Sequence, residues 1–255
     1  MYQALYAPLP DVVKYLERLG ISDKIEPTRE NLDRLVYAHL THVPFENLDE
    51  CIDRACPDLA IDALYDKIVT RRRGGYCFEL NAAFYALLCA CGYEAYPVAC
   101  RISWNSDEKR PLSHRATVVV LDGIKHFCDV GFGGPSAHCS VPFNETVDGG
   151  FFIDTADNAV TKVMHKTENG EELIIEFKDE FFEPVDFVPL NFNIAMAPGS
   201  YFQTMPIINL TTDTGSKSIN GDVFRWHDGD IVTETKLEND ELFKTCLKEH
   251  FGIVK

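Results

Sequence analysis

The stretch Arg73-Gly74-Gly75-Tyr76-Cys77-Phe78-Glu79-Leu80-Asn81 sets a cysteine just after a double glycine and at the head of an apolar run. Paired glycines allow a close backbone approach or a positive φ. A helix that begins at Cys77 would turn its free N–H groups and positive dipole end toward the sulfur. Both favour the thiolate, which is the nucleophile. Arg73, four residues upstream, would add to that positive field. The competing reading of Cys77 is one more buried thiol, and position alone leaves the two level.

A nucleophilic cysteine needs a base, and the base needs a group that orients it. The segment from Ser113 to Asp129 contains both residue types. Asp122-Gly123 is a strong two-residue hairpin signal. With that turn, Leu121 pairs with Ile124, Ala116 lies opposite Asp129, and His114 lies opposite Gly131. His114 and Asp129 then sit diagonally on one face, about 7–8 Å apart at the backbone, within reach of an imidazole and a carboxylate. Ala116, Val118, Val120 and Phe127 share that face, so it is expected to be the buried one. An unpaired aspartate is costly there, whereas one that accepts an imidazole N–H is not. The alternative is a structural His–Asp pair with no thiol nearby. His126, the rival base, falls on the opposite face in this register.

These residues need a frame, and the pattern of the chain supplies one. Leu9-Pro10-Asp11 opens a helix whose positions Val12, Val13, Tyr15, Leu16 and Leu19 recur at helical spacing and which Gly20 closes. Thr28 is placed to cap a second helix through Leu32, Leu35, Val36, His39 and Leu40. A third is expected over about 61–70 and a fourth from Cys77 to Gly92. After residue 95 the pattern changes to short β-branched, alternating segments at 96–104, 113–121, 124–132, 152–164 and 172–178. Beyond about Leu190, strands at 204–210 and 230–235 precede a helix at about 238–249. The expected fold is α+β: a helical bundle over 1–92 carrying the cysteine, an antiparallel β barrel over 93–189 carrying the histidine and aspartate, and an α/β lid over 190–255.

Composition narrows the function classes. A chain of 255 residues, 45% hydrophobic and 25% charged, is that of a globular protein with a real core. The formal charge of −16 argues against sequence-independent nucleic-acid binding, which uses basic patches. Arg71–Arg73 is the one short basic cluster, and a solvated helix end is its plain reading. No apolar run approaches the roughly 18 residues that span a bilayer, and the N-terminus reads as no signal peptide. Nine cysteines at irregular spacings, with no C-x-x-C unit, are expected to be reduced thiols in the cytoplasm rather than disulfides or a zinc site.

The nonapeptide around Cys77 resembles the active-site signature of the arylamine N-acetyltransferases. So do His114 in Pro-Leu-Ser-His-Arg, Asp129 in Asp-Val-Gly-Phe-Gly-Gly134, and Pro27 to Leu32 with His42-Val-Pro-Phe-Glu-Asn-Leu48. The resemblance covers about the first 140 residues with specific motifs and the rest more loosely. It implies a helical bundle, barrel and lid around a cysteine-protease-like triad core. It also implies ping-pong transfer of an acetyl group from acetyl-CoA, through an acetyl-cysteine at Cys77, to an arylamine, arylhydrazine or N-hydroxyarylamine. His114 would pair with the thiolate and relay protons, and Asp129 would orient it. Phe45 and Phe132, and more loosely Ile102 and Phe202, match positions that line the acceptor pocket; Gly131, Gly133 and Gly134 match the CoA side. Arg73 is implied to make a buried ionic contact with Glu46. No metal or tightly held prosthetic group is implied, and acetyl-CoA is a co-substrate. The same triad could serve an amide synthase or an acyl-thioester hydrolase, and a binding module without turnover is the remaining class.

Overall fold

The computed structural model describes residues 2–106, 108–156 and 159–255. In the first part, α1 (Val12–Arg18), α2 (Arg29–His42), α4 (Ile61–Tyr65) and α5 (Cys77–Ala90) gather around one apolar cluster, while Leu48 of α3 (Leu48–Cys51) packs into the core of the C-terminal part. The caps are those the sequence offered. The Asp11 carboxylate accepts from Lys14 N at 3.1 Å, and Thr28 Oγ1 accepts from Asn31 N at 3.3 Å. Val13, expected on the apolar face of α1, is exposed instead. The helix expected over 61–70 is α4 continued by a π-helical turn at Asp66–Thr70.

The two-residue strand β1 (Phe45–Glu46) lies between α2 and α3. A seven-stranded antiparallel sheet follows: β2 (Glu94–Ile102), β3 (His114–Leu121), β4 (Ile124–Cys128), β5 (Val141–Pro142), β6 (Phe151–Asp154), β7 (Thr161–Thr167) and β8 (Gly170–Phe177). Its strand order is β5-β4-β3-β2-β8-β7-β6, and the edge strands β5 and β6 lie side by side, so the sheet nearly closes into a barrel. The β3–β4 hairpin has the expected register, from Leu121 opposite Ile124 to Thr117 opposite Cys128. Asp122 and Gly123 both have positive φ, as a type I′ turn requires.

Three readings change. The stretch 152–164 is not one strand but the β6–β7 hairpin, and its residues 157–158 lie outside the described residues. The strand expected over 124–132 ends at Cys128, and 129–132 leave the sheet as a loop. Both faces of the β3–β4 hairpin are buried, not one. The face with Ala116, Val118 and Phe127 fills the barrel, while Val119 and Cys128 join the helical cluster around α5.

The C-terminal part holds α6 (Phe187–Met196), the meander β9 (Ile207–Thr212), β10 (Gly215–Asn220), β11 (Val223–Asp228) and β12 (Ile231–Lys236), and α7 (Asp240–Phe251). The strand order is β1-β9-β10-β11-β12, so Phe45–Glu46 of the helical region forms one edge of this second sheet. No helix among the described residues is long and apolar enough to cross a membrane.

Candidate active site

Cys77 is the first residue of α5, and the turn before it is held from several sides. Glu79 reaches back so that its Oε2 accepts from Tyr76 N at 3.2 Å, one half of a capping box. Gly74 passes so close to the backbone just before β1 that a Cβ there would meet Pro44 O at 1.9 Å; no other residue type fits. Of the three arginines, Arg71 is exposed and pairs with Asp66, whereas Arg73 is buried and reaches Glu46 through Nε at 2.9 Å and Nη2 at 3.0 Å. Arg73 therefore braces this turn against β1. That is the ionic contact the family resemblance implied.

The Cys77 thiol is 3% exposed, with Sγ 3.9 Å from Ser113 O. His114, at the start of β3, is fully buried, and its Nε2 lies 2.6 Å from Asp129 Oδ2. The other ring nitrogen, Nδ1, has no hydrogen-bond partner. Burial works against a charged imidazole. The negative charge of Asp129 and the neighbouring Cys77 outweigh that effect and push the His114 pKa up to about 10. The ring is thus an imidazolium at neutral pH, which is the partner a thiolate needs. His126 takes no part: it is buried on the other face of the hairpin, with Nδ1 3.2 Å from Ser140 Oγ.

The loop after β4 brings Asp129 into place. Gly131 packs on the head of α5, where a Cβ would fall 2.9 Å from Cys77 Cα. Gly133 has φ +72° and its Cβ position lies 3.3 Å from the Phe45 ring. Phe132 stands edge-on to His114, with centroids 5.7 Å apart, and Phe45 and Phe202 are 6.2 Å apart. Ile102 ends β2 on the same face as Cys100, which pairs directly with His114. Trp104 was not singled out in the sequence. Its ring is 6.1 Å from Phe132, and its same-face spacing from Ile102 was the available signal.

Asn81 is the second residue the sequence reading passed over, although it closes the Cys77 motif. It lies one turn along α5, fully buried. Its Nδ2 donates to Asp129 Oδ1 at 2.9 Å and to Arg115 O at 2.6 Å, and its Oδ1 accepts from Val130 N at 3.1 Å. One amide thus ties the cysteine's helix to the aspartate's loop and the histidine's strand. Asn81→Ala is expected to slow acylation of Cys77 about 100-fold, the cost of an ångström-scale misplacement, with little change in affinity for the acyl donor. Single-turnover kinetics against donor concentration check it; a loss confined to affinity would contradict the positioning role.

Linkage sets the sign of a pH effect. A histidine whose pKa rises on folding stabilises the fold fully below its unfolded value near 6.5, and that stability disappears as pH rises through the folded value of about 10. Urea titrations between pH 6 and 10 should therefore show an alkaline loss in the wild type that is absent from His114→Gln. Equal slopes would contradict this.

The chain matches the family described as N-acetyltransferase over residues 28–254. It is 26% identical over 256 residues to an arylamine N-acetyltransferase of Mycolicibacterium smegmatis, covering 95% of this chain and 92% of that protein. Its fold superposes on an arylamine N-acetyltransferase of Salmonella typhimurium with a TM-score of 0.89 at 25% identity, covering 97% and 92% of the two chains. A Mycobacterium marinum arylamine N-acetyltransferase in complex with CoA gives a TM-score of 0.84 at 26% identity, with 95% and 93% covered.

Proposed function

The chain belongs to the arylamine N-acetyltransferase family, and from that premise we propose that Cys77, His114 and Asp129 carry acetyl groups from acetyl-CoA to small aromatic amines, hydrazines or N-hydroxyarylamines. The observation that carries this reading is the buried His114 poised between two groups, with Nε2 2.6 Å from Asp129 and Nδ1 left for the thiol. In the first half-reaction the Cys77 thiolate attacks the acetyl carbonyl. The new S–C bond forms, the bond to the CoA sulfur breaks, and CoA leaves as a thiol with the proton that His114 held. In the second, the amine attacks the acetyl-cysteine and gives its proton to His114; the N–C bond forms and the Cys77–carbon bond breaks. A thioester exchanged for a thioester keeps the acyl group reactive, and the final amide is the stable product.

The surroundings support this assignment. Phe45, Phe132, Phe202 and Ile102 supply apolar, partly aromatic walls that suit a flat acceptor. Gly131, Gly133 and Gly134 remove the side chains at three positions of the loop after Asp129, which supports a close approach of CoA to its backbone there. Cys77 itself is 3% exposed. Burial keeps water from an acetyl-enzyme. All nine cysteines are free, in keeping with a reducing compartment such as the cytosol.

Intact-mass spectrometry after mixing with acetyl-CoA tests the proposal. One added acetyl group is expected on the wild type and none on Cys77→Ala, with the adduct discharged by an arylamine. No acetylation of folded, reduced protein would sink the acetyl-CoA assignment.

A further inference from the structure

Successive residues of β3 face opposite ways. His114 belongs to the triad, whereas Arg115 points to the other side of the strand, against α5 and α6. The Arg115 side chain is only 2% exposed, with its guanidinium 4.4 Å over the Phe187 ring and 6.0 Å from that of Tyr85. No carboxylate lies within salt-bridge distance of it among the described residues. Its side chain donates no hydrogen bond there, and its Nε is buried without a partner. A cation in that position lacks the counter-charge that buried charges normally have. Burial accordingly pulls its pKa down to about 9.

Arg115 lines a cavity of about 620 Å³, within the size range of small-molecule sites. Leu5 and Leu9 of the N-terminal segment, Ile61 of α4, and Ala82 and Ala86 of α5 make its walls apolar. Glu183 is the other charged residue on the cavity. It is exposed, and its Oε2 accepts from Tyr6 OH at 3.1 Å rather than neutralising Arg115. The site therefore combines a long apolar trough with one buried, unpaired guanidinium.

We propose that this cavity binds a small amphiphilic monocarboxylate, its head group paired with Arg115 and its apolar tail lying along α5. A planar guanidinium with its donors unused is suited to a bidentate carboxylate contact, and the surrounding low polarity strengthens that contact. The site lies behind the triad, on the opposite face of β3 from His114. An occupant touches both α5, which carries Cys77, and β3, which carries His114. It is thus separate from the acyl-transfer site and does not depend on that assignment.

Octanoate is the probe, with octanol and octylamine as controls, on the full chain by calorimetry and thermal shift. Octanoate should bind saturably and at least tenfold more tightly than either control. Arg115→Gln should abolish that preference, and Ala86→Phe, which fills the trough and leaves the guanidinium in place, should remove binding. Because Arg115→Gln could fail to fold, a second readout uses the wild type. Cys89 is exposed on the cavity, and saturating octanoate should slow its alkylation relative to Cys91, followed by peptide mapping. Equal binding of all three probes, or unchanged alkylation of Cys89 at saturation, would overturn the proposal.

Discussion

An Asp129→Asn variant is expected to acetylate Cys77 about 10³- to 10⁴-fold more slowly than wild type at neutral pH, while remaining folded. His114 is fully buried, and burial alone favours its neutral form. The carboxylate 2.6 Å from Nε2 is the largest influence in the other direction, and an amide of the same shape carries no charge to replace it. The ring would lose its proton in the variant, and the thiolate would lose its cationic partner. Asp129 Oδ1 also accepts from Asn81 Nδ2 and Gly131 N, both at 2.9 Å, so an asparagine cannot satisfy every donor in one orientation. The rate should recover little at higher pH, where a neutral imidazole only becomes more prevalent. Mass-resolved single-turnover acetylation between pH 6 and 9 reads this out. A near wild-type rate at pH 7 would remove Asp129 from the machinery.

The second large effect concerns stability. Arg73→Ala is expected to destabilise the fold by about 3–5 kcal/mol, because it leaves a buried carboxylate without its partner. Glu46 is fully buried and receives two hydrogen bonds from the Arg73 guanidinium, while Asp49 receives a third at 2.7 Å. Asp49 is also 2.8 Å from Lys67, which in turn lies 2.7 Å from Glu79. Burial would raise the Asp49 pKa, but Lys67 and Arg73 hold it at about 2. Neither carboxylate oxygen of Glu50 beside them has a hydrogen-bond partner among the described residues, and burial, then the charge of Glu79, pushes its pKa up against the opposing pull of Lys67. The group is balanced closely enough that removing one cation cannot be absorbed. Because Glu79 also caps α5, the loss reaches the turn that positions Cys77, and activity should fall with stability. Urea unfolding beside residual turnover tests this, with Arg71→Ala, an exposed pair, as the near-neutral control. Lost activity at unchanged stability would contradict the bracing role.

Several features were legible because they are local. The Asp122-Gly123 turn admits one two-residue hairpin, and its register holds from Leu121 opposite Ile124 to Thr117 opposite Cys128; the expected pairs beyond it, Ala116 with Asp129 and His114 with Gly131, do not form because 129–132 leave the sheet. The double glycine before Cys77 and the caps at Asp11 and Thr28 are likewise short-range chemistry. The elements missed have local causes too. Pro189 reads in the sequence as a boundary, yet it lies in the first turn of α6, where a missing N–H costs nothing. Strands β10 and β11 are polar on much of their surface, so alternation is weak, although Gly221-Asp222 marks their turn.

By itself, then, the sequence determined the three reacting residue types, the register of the hairpin that carries His114 and leads to Asp129, and the family they belong to. Tertiary structure alone decided that the loop after Cys128 leaves the sheet, that Gly131 seats it on Cys77, and that Nε2 of His114 faces Asp129 while Nδ1 is left for the sulfur. It also decided that Asn81 joins the three elements and that Arg115 is buried without a counter-charge. The reason is physical. Backbone pattern reports propensity and period within a segment. Whether a charged or polar group finds a partner depends on which distant segment the packing of α5 against β3 brings to it.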